Sequence, residues 1–290
     1  MQNTADRRDC CVQMKVGKNA SARHISEEGN YGDGREFYAS KHIMTTTKAN
    51  DPDAVIGALE DFDVRWTMLH LGKEKGKYLD RALKDLILER RTKIRALEIG
   101  TYLGYSACRI GKILAMEAEG SMLLSVEQNQ ENAGYAKLHV DHAGLNDSVQ
   151  VVHSRIENVF KEDGNKISAL YDCNRPFDFV FIDHRKAFYL RDLKLLESVG
   201  VISATITTVV ADNVAPLVHL KNREESILRG KRRGPCKCVN KACDYLDYMR
   251  RRWSSTEIFY GENSKDGISV SKPMQCNLAT GHVPKSITEE

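Results

Sequence analysis

The chain has 290 residues, 41% of them hydrophobic and 29% charged, which is enough for one large core with tails or insertions. A net charge of only +3 makes no electrostatic case for nucleic acid. No apolar run is long enough to span a membrane, the opening MQNTADRRDCCVQ lacks the apolar stretch of a signal peptide, and the eight cysteines show no disulfide-framework spacing. A cytoplasmic protein with reduced thiols is expected.

Residues 1–44 are polar, rich in Gly and Ser and without periodicity, which predicts a disordered tail. Apolar positions at helical spacing predict helices over 53–70 and 76–90. Strand and helix patterns then alternate. Strands fall at 94–99, 122–127, 149–153, 177–182 and 204–211, with one helix over 106–117 and another starting near 129. Two more strands, 256–260 and 267–271, are joined by the short loop GENSKDG, which predicts an antiparallel hairpin at one edge. The alternation argues an α/β fold, a doubly wound sheet with helices on both faces. Residues 221–241 break the rhythm with eight Lys or Arg against two Glu. They read as part of a basic insertion over 217–241, within a domain spanning 45–275 that is followed by a second tail at 276–290.

Chemistry is suggested first by the turn after the first strand, LEIGTYLGYSA. Its glycines, Gly100 and Gly104, are four apart, so both the dinucleotide fingerprint G-x-G-x-x-G and the Walker A string are absent. Glu127 ends the second strand, where an acidic residue can bind a ribose diol. A turn without the pyrophosphate fingerprint and a ribose carboxylate fit S-adenosylmethionine; the bland reading is a plain turn and a solvated Glu. Two further apolar runs end in hard oxygens, FDFVFIDHRK at 177–186 and ADN at 211–213. In an α/β sheet both runs are buried parallel strands whose carboxyl ends face the ligand crevice. Asp183, Asp212 and Asn213 then share one rim and suit Mg²⁺. A helix cap and an Asp-Asn turn are the simpler alternatives. Lys186, three residues past Asp183, is in reach as a general base for a hydroxyl of a vicinal diol.

Six strings, WTMLHLGKEKG (66–76), LEIGTYLGYSACR (97–109), LLSVEQN (123–129), HAGLNDSV (142–149), FVFIDHRKAFYL (179–190) and VVADNVAP (209–216), bring a family into view. Over residues 45–272 the chain resembles catechol O-methyltransferase, a class I S-adenosylmethionine-dependent methyltransferase. The resemblance implies a Rossmann-like seven-stranded sheet with strand seven antiparallel, and a monomer acting on a small catechol. It implies that Leu71, Glu98, Gly100, Tyr102 and Ser106 hold the methionine side of the cofactor. Glu127 takes the ribose, Ile156, Glu157 and His184 the adenine, and Asp183 borders the cofactor. Asp183, Asp212 and Asn213 bind Mg²⁺, and Lys186 is the base. Trp66 and Met68 face the substrate beside the methyl donor, with Asn213 and Lys186.

Two departures stand out. Arg185 replaces the family's Trp between the His and the Lys, which points to an acidic or more polar catechol. The family's late Glu has two candidates; strand order favours Glu262 over Asp247. Other vicinal-diol phenols, such as a caffeoyl ester, and a non-catalytic binder on the same scaffold are the alternative functions. Cys236, Cys238 and Cys243 lack an evident fourth zinc ligand and standard spacing, Cys10 and Cys11 lack the hydrophobic neighbour of an acylation site, and Trp253 reads as a core or hairpin anchor.

Overall fold

The structure is a computed structural model that describes residues 29–160, 175–214, 237–261 and 266–274, with the backbone alone for 237–243. Helices α1 (Arg35–Thr46), α2 (Pro52–Arg65) and α3 (Lys73–Arg90) precede the sheet. They are followed by β1 (Arg95–Ile99), α4 (Tyr105–Glu117), β2 (Met122–Glu127), α5 (Gln130–His142), β3 (Val149–His153) and the single turn α6 (Ile156–Val159). The second half holds β4 (Phe179–Ile182), α7 (Tyr189–Ser198), β5 (Thr208–Ala211), α8 (Lys237–Arg252), β6 (Ser255–Tyr260) and β7 (Gly267–Lys272).

The strand order is β3-β2-β1-β4-β5-β7-β6. The first five strands are parallel, and β7 runs antiparallel to both β5 and β6. Period-two alternation divides the side chains between two cores. Phe179 and Phe181 face the core shared with α1 to α5, while Val180 and Ile182 face the one shared with α6, α7 and α8. The order reverses between β1 and β4. That reversal is a topological switch point, where ligands of open α/β sheets bind.

Local signals account for the element ends. Asp51 caps α2 by accepting from the Ala54 N–H at 3.0 Å, with Pro52 in the first helical turn. Asn129 caps α5 in the same way through Asn132 at 2.9 Å. The helix expected over 53–70 stops at Arg65, because the Asp63 carboxylate accepts from the Met68 N–H at 2.6 Å and turns the chain. The strand expected from 204 begins at Thr208, because Ile206 and Thr207 fold back onto the Ser203 carbonyl.

One expectation fails at the amino end. Residues 35–44 lie in helix α1 rather than in a tail, with Ala39 and Ile43 fully buried in the first core. Only two apolar side chains of that helix face inward, too few to register as periodicity. Residues 1–28, positions 217–236 of the basic insertion, the expected tail at 276–290, Glu262 and Cys10, Cys11 and Cys236 lie outside the described residues. Trp253 is the anchor expected: it is buried, and its indole N–H donates to the Thr207 carbonyl at 2.8 Å. Trp253→Phe leaves that buried carbonyl without its donor. It should lower stability by about 1–3 kcal/mol in urea unfolding, and an unchanged midpoint would contradict this role.

Candidate active site

At the switch point a cavity of about 480 Å³ opens beyond the carboxyl ends of β1, β2, β4 and β5. The ladder steps these ends together: the Asp183 N–H donates to Ile99 at 2.9 Å, and the Asp212 N–H donates to Ile182 at 3.0 Å. Gly100 has φ +95°, and a methyl group there would collide with the Asp183 carbonyl oxygen. Only glycine lets β1 and β4 approach this closely. Tyr102 and Asn213 take left-handed backbone at φ 50° and 55°. A left-handed non-glycine residue is strained, by about 1–2 kcal/mol, less for Asn, and both stand on the cavity wall.

Four carboxylates sit at these strand ends. Glu127 Oε2 accepts from the backbone N–H groups of Thr101 and Tyr102 at 3.1 and 2.8 Å, and Oε1 accepts from Asn129 at 2.8 Å. It thereby ties the turn after β1 to the end of β2. Burial raises its pKa against these donors. Glu98 is fully buried and accepts from the hydroxyls of Ser106 and Ser125. Its Oε1 has no partner among the described residues. Burial first, and then repulsion from Glu127, push its pKa up to about 7.

Asp183 and Asp212 are adjacent, and burial together with negative neighbours raises both pKa values. Lys75 opposes that rise at both, and its Nζ lies 2.6 Å from each carboxylate oxygen of Asp212. Among the described residues no group of three His, Cys, Asp or Glu side chains is arranged to hold a metal. The expected ligand set has only two carboxylates, with an amide as its third member.

His184 and Lys186 follow on the wall. The His184 Nε2 pairs with Asp192 at 2.7 Å, its ring stacks on Tyr189 at 5.1 Å, and its Nδ1 is buried without a partner. The Tyr189 hydroxyl donates to the Asp212 carbonyl at 3.1 Å. Lys186 Nζ lies 3.4 Å from Asp266.

Of the residues expected from sequence, Met68, Gly100, Tyr102, Glu127, Ile156, Glu157, Asp183, His184, Arg185, Lys186, Asp212 and Asn213 all line this cavity. Leu71, Glu98 and Ser106 are buried but do not line it. Trp66 does not line it either; it packs on the first core, 5.8 Å from the Arg35 guanidinium. Asp247 is on the exposed side of α8, paired with Arg250 at 3.7 Å, away from the cavity. The residues unforeseen from sequence are Lys75, Tyr189, Asp192 and Asp266. Lys75 stands inside a string that carries the resemblance, but its partner is 137 residues away.

A family model described as O-methyltransferase matches residues 54–215. Catechol O-methyltransferase B of Danio rerio is 36% identical over 238 residues, covering 80% of this chain and 76% of that one. Catechol O-methyltransferase of Bos taurus is 34% identical over 185 residues; the match spans 63% of this chain and 62% of the bovine protein. Among solved structures, an O-methyltransferase from Bacillus cereus in complex with SAH shares the fold with a TM-score of 0.54 at 19% identity, covering 82% of this chain and 96% of that one. The chain belongs to the O-methyltransferase family, within the catechol O-methyltransferases of the class I S-adenosylmethionine-dependent group.

Glu98 generates a pH prediction. Its folded pKa is raised to about 7 from 4.5, so its contribution to stability is complete below pH 4.5 and is lost as pH rises through 7. The loss is roughly 3 kcal/mol. Glu98→Gln stays neutral and should keep that stability at pH 8. Urea unfolding of both proteins at pH 5 and pH 8 checks it, and parallel pH dependence would contradict it.

Proposed function

We propose that this protein transfers a methyl group from S-adenosylmethionine to one hydroxyl of a catechol, with Mg²⁺ bound. The observation that carries this reading is the placement of two buried carboxylates, Asp183 and Asp212, beside Asn213 and Lys186 on one cavity wall. The residues fit both groups. Glu98 has a buried oxygen without a partner, suited to an ammonium, and Gly100 forms a cradle that a Cβ would fill. Tyr102 continues the methionine side on the wall, with Leu71 and Ser106 buried off it. Glu127 lines the cavity as the acid placed to meet a ribose hydroxyl, which would share its oxygens with the backbone donors already there. The unpartnered Nδ1 of His184 suits the edge of an adenine flanked by Ile156 and Glu157. Asp183, Asp212 and Asn213 offer the hard oxygens that Mg²⁺ prefers.

When bound, S-adenosylmethionine supplies an electrophilic methyl group, and Mg²⁺ supplies a Lewis acid that favours the ionised hydroxyl. Lys186 would take the hydroxyl proton at Nζ as the neutral amine, having given up its own proton to solvent beside the bound cation, and Asp266 would then stabilise the ammonium that results. Met68 presents an apolar wall to the aromatic ring, and Trp66 backs it from the core. Asn213 stands on the wall for the second hydroxyl, and Glu262, outside the described residues, is the sequence candidate for the family's late Glu. A cytoplasmic, monomeric enzyme remains part of this reading. Among the described residues no helix is long and apolar enough to cross a membrane.

Methyl transfer from labelled S-adenosylmethionine to dopamine should be abolished by EDTA. Lys186→Ala should lower turnover about 10²- to 10⁴-fold while cofactor binding persists. Full transfer in EDTA, or in Lys186→Ala, would contradict the proposal. Arg185 lines the mouth and brings a positive charge to it. It should favour dihydroxybenzoate over dopamine, and Arg185→Trp should reverse that preference. An identical ratio in both proteins would remove Arg185 from substrate selection.

A further inference from the structure

We propose that Lys75 is the built-in counter-cation of the metal site, a positive charge against which Mg²⁺ must bind, so that the site holds the ion more weakly than its oxygen ligands alone would. The inference rests on the reading of Asp183, Asp212 and Asn213 as the Mg²⁺ ligands.

The geometry is specific. Lys75 Nζ lies 2.6 Å from both oxygens of Asp212. The two side chains are only 12% and 3% exposed, so water screens the pair little. An ammonium straddling a carboxylate takes the direction a bidentate metal would use and leaves one outward lone pair on each oxygen. Lys75 also stands in the first turn of α3, after the Gly72 cap. A cation at a helix amino end opposes the helix dipole. Helix formation therefore does not explain its position, whereas the ion pair does.

Charge balance gives the pair its function. Asp183 and Asp212 bring two negative charges into a buried crevice, and Lys75 neutralises one of them while no metal is present. Removing one partner of a buried pair leaves an uncompensated charge and destabilises the fold. When Mg²⁺ arrives, the same ammonium repels it or must swing away, and either route weakens binding. Lys75 thus keeps the metal-free protein folded and sets the affinity for the ion.

The test is calorimetric titration of MgCl₂ into the full-length wild type, Lys75→Met, Lys75→Gln and Lys75→Arg, with Mn²⁺ binding followed by electron paramagnetic resonance. Both uncharged variants should bind the ions at least tenfold more tightly, and Lys75→Arg should stay near wild type. Without metal the uncharged variants should melt at lower temperature, and Mg²⁺ should raise their melting points more than that of the wild type. Weaker or unchanged binding in uncharged variants that remain folded would overturn the proposal and make Lys75 a support for the ligand. If wild type and all variants bind neither ion, the metal reading fails and the proposal falls with it.

Discussion

Glu98, Glu127, Asp183 and Asp212 end or flank neighbouring strands of one sheet, and this crowding of negative charge governs the site. A carboxylate taken from water into a strand end is costly unless donors or cations answer it. Each of the four meets that cost differently. Glu127 takes three backbone N–H groups. Asp212 takes the Lys75 ammonium. Glu98 takes two hydroxyls and is still pushed toward its neutral form. Asp183 is left to the field of its neighbours. A ligand that brings positive charge to these positions would lower the electrostatic cost already present there, and the proposed function rests on that complementarity.

The two halves of the cavity are mechanically joined. Tyr189 stacks on His184 and donates to the Asp212 carbonyl, so one buried ring touches the residues that follow both β4 and β5. Asp192 fixes the other edge of His184 and is itself gripped by Arg191. Asn213 follows Asp212 in left-handed backbone. The turn that aims both residues inward therefore depends on side chains of α7 rather than on β5 alone. Glu36 of α1 accepts from the Tyr102 hydroxyl, which brings the amino-terminal helix onto the turn after β1 as well.

The parallel strands were legible because fully buried strands read as continuous apolar runs, as in Phe179–Ile182 and Thr208–Ala211. Asp183 and Asp212 could be paired from sequence because both stand one residue past such a run, and strand register does the rest. Helix α1 was not legible, since its stability comes from contacts with α2 and α5 rather than from its own pattern. Lys75, Asp192 and Asp266 were missed for a different reason. Each is an ordinary charged residue locally, and its importance is created by a partner that folding brings near. Trp66 stands just before the turn held by Asp63 and packs against the first core, a placement that its string does not reveal.

The most direct measurement is calorimetric titration of S-adenosylmethionine into the full-length protein at pH 6.5, in buffers of different ionisation enthalpy. Glu98 carries a proton for much of the time at that pH, and an arriving ammonium should expel it. The account predicts saturable binding with net proton release that disappears in Glu98→Gln. Absence of binding would contradict the assignment of these strand ends as the cofactor site, and binding with equal heats in every buffer would contradict the protonated Glu98 as the group that meets the ammonium.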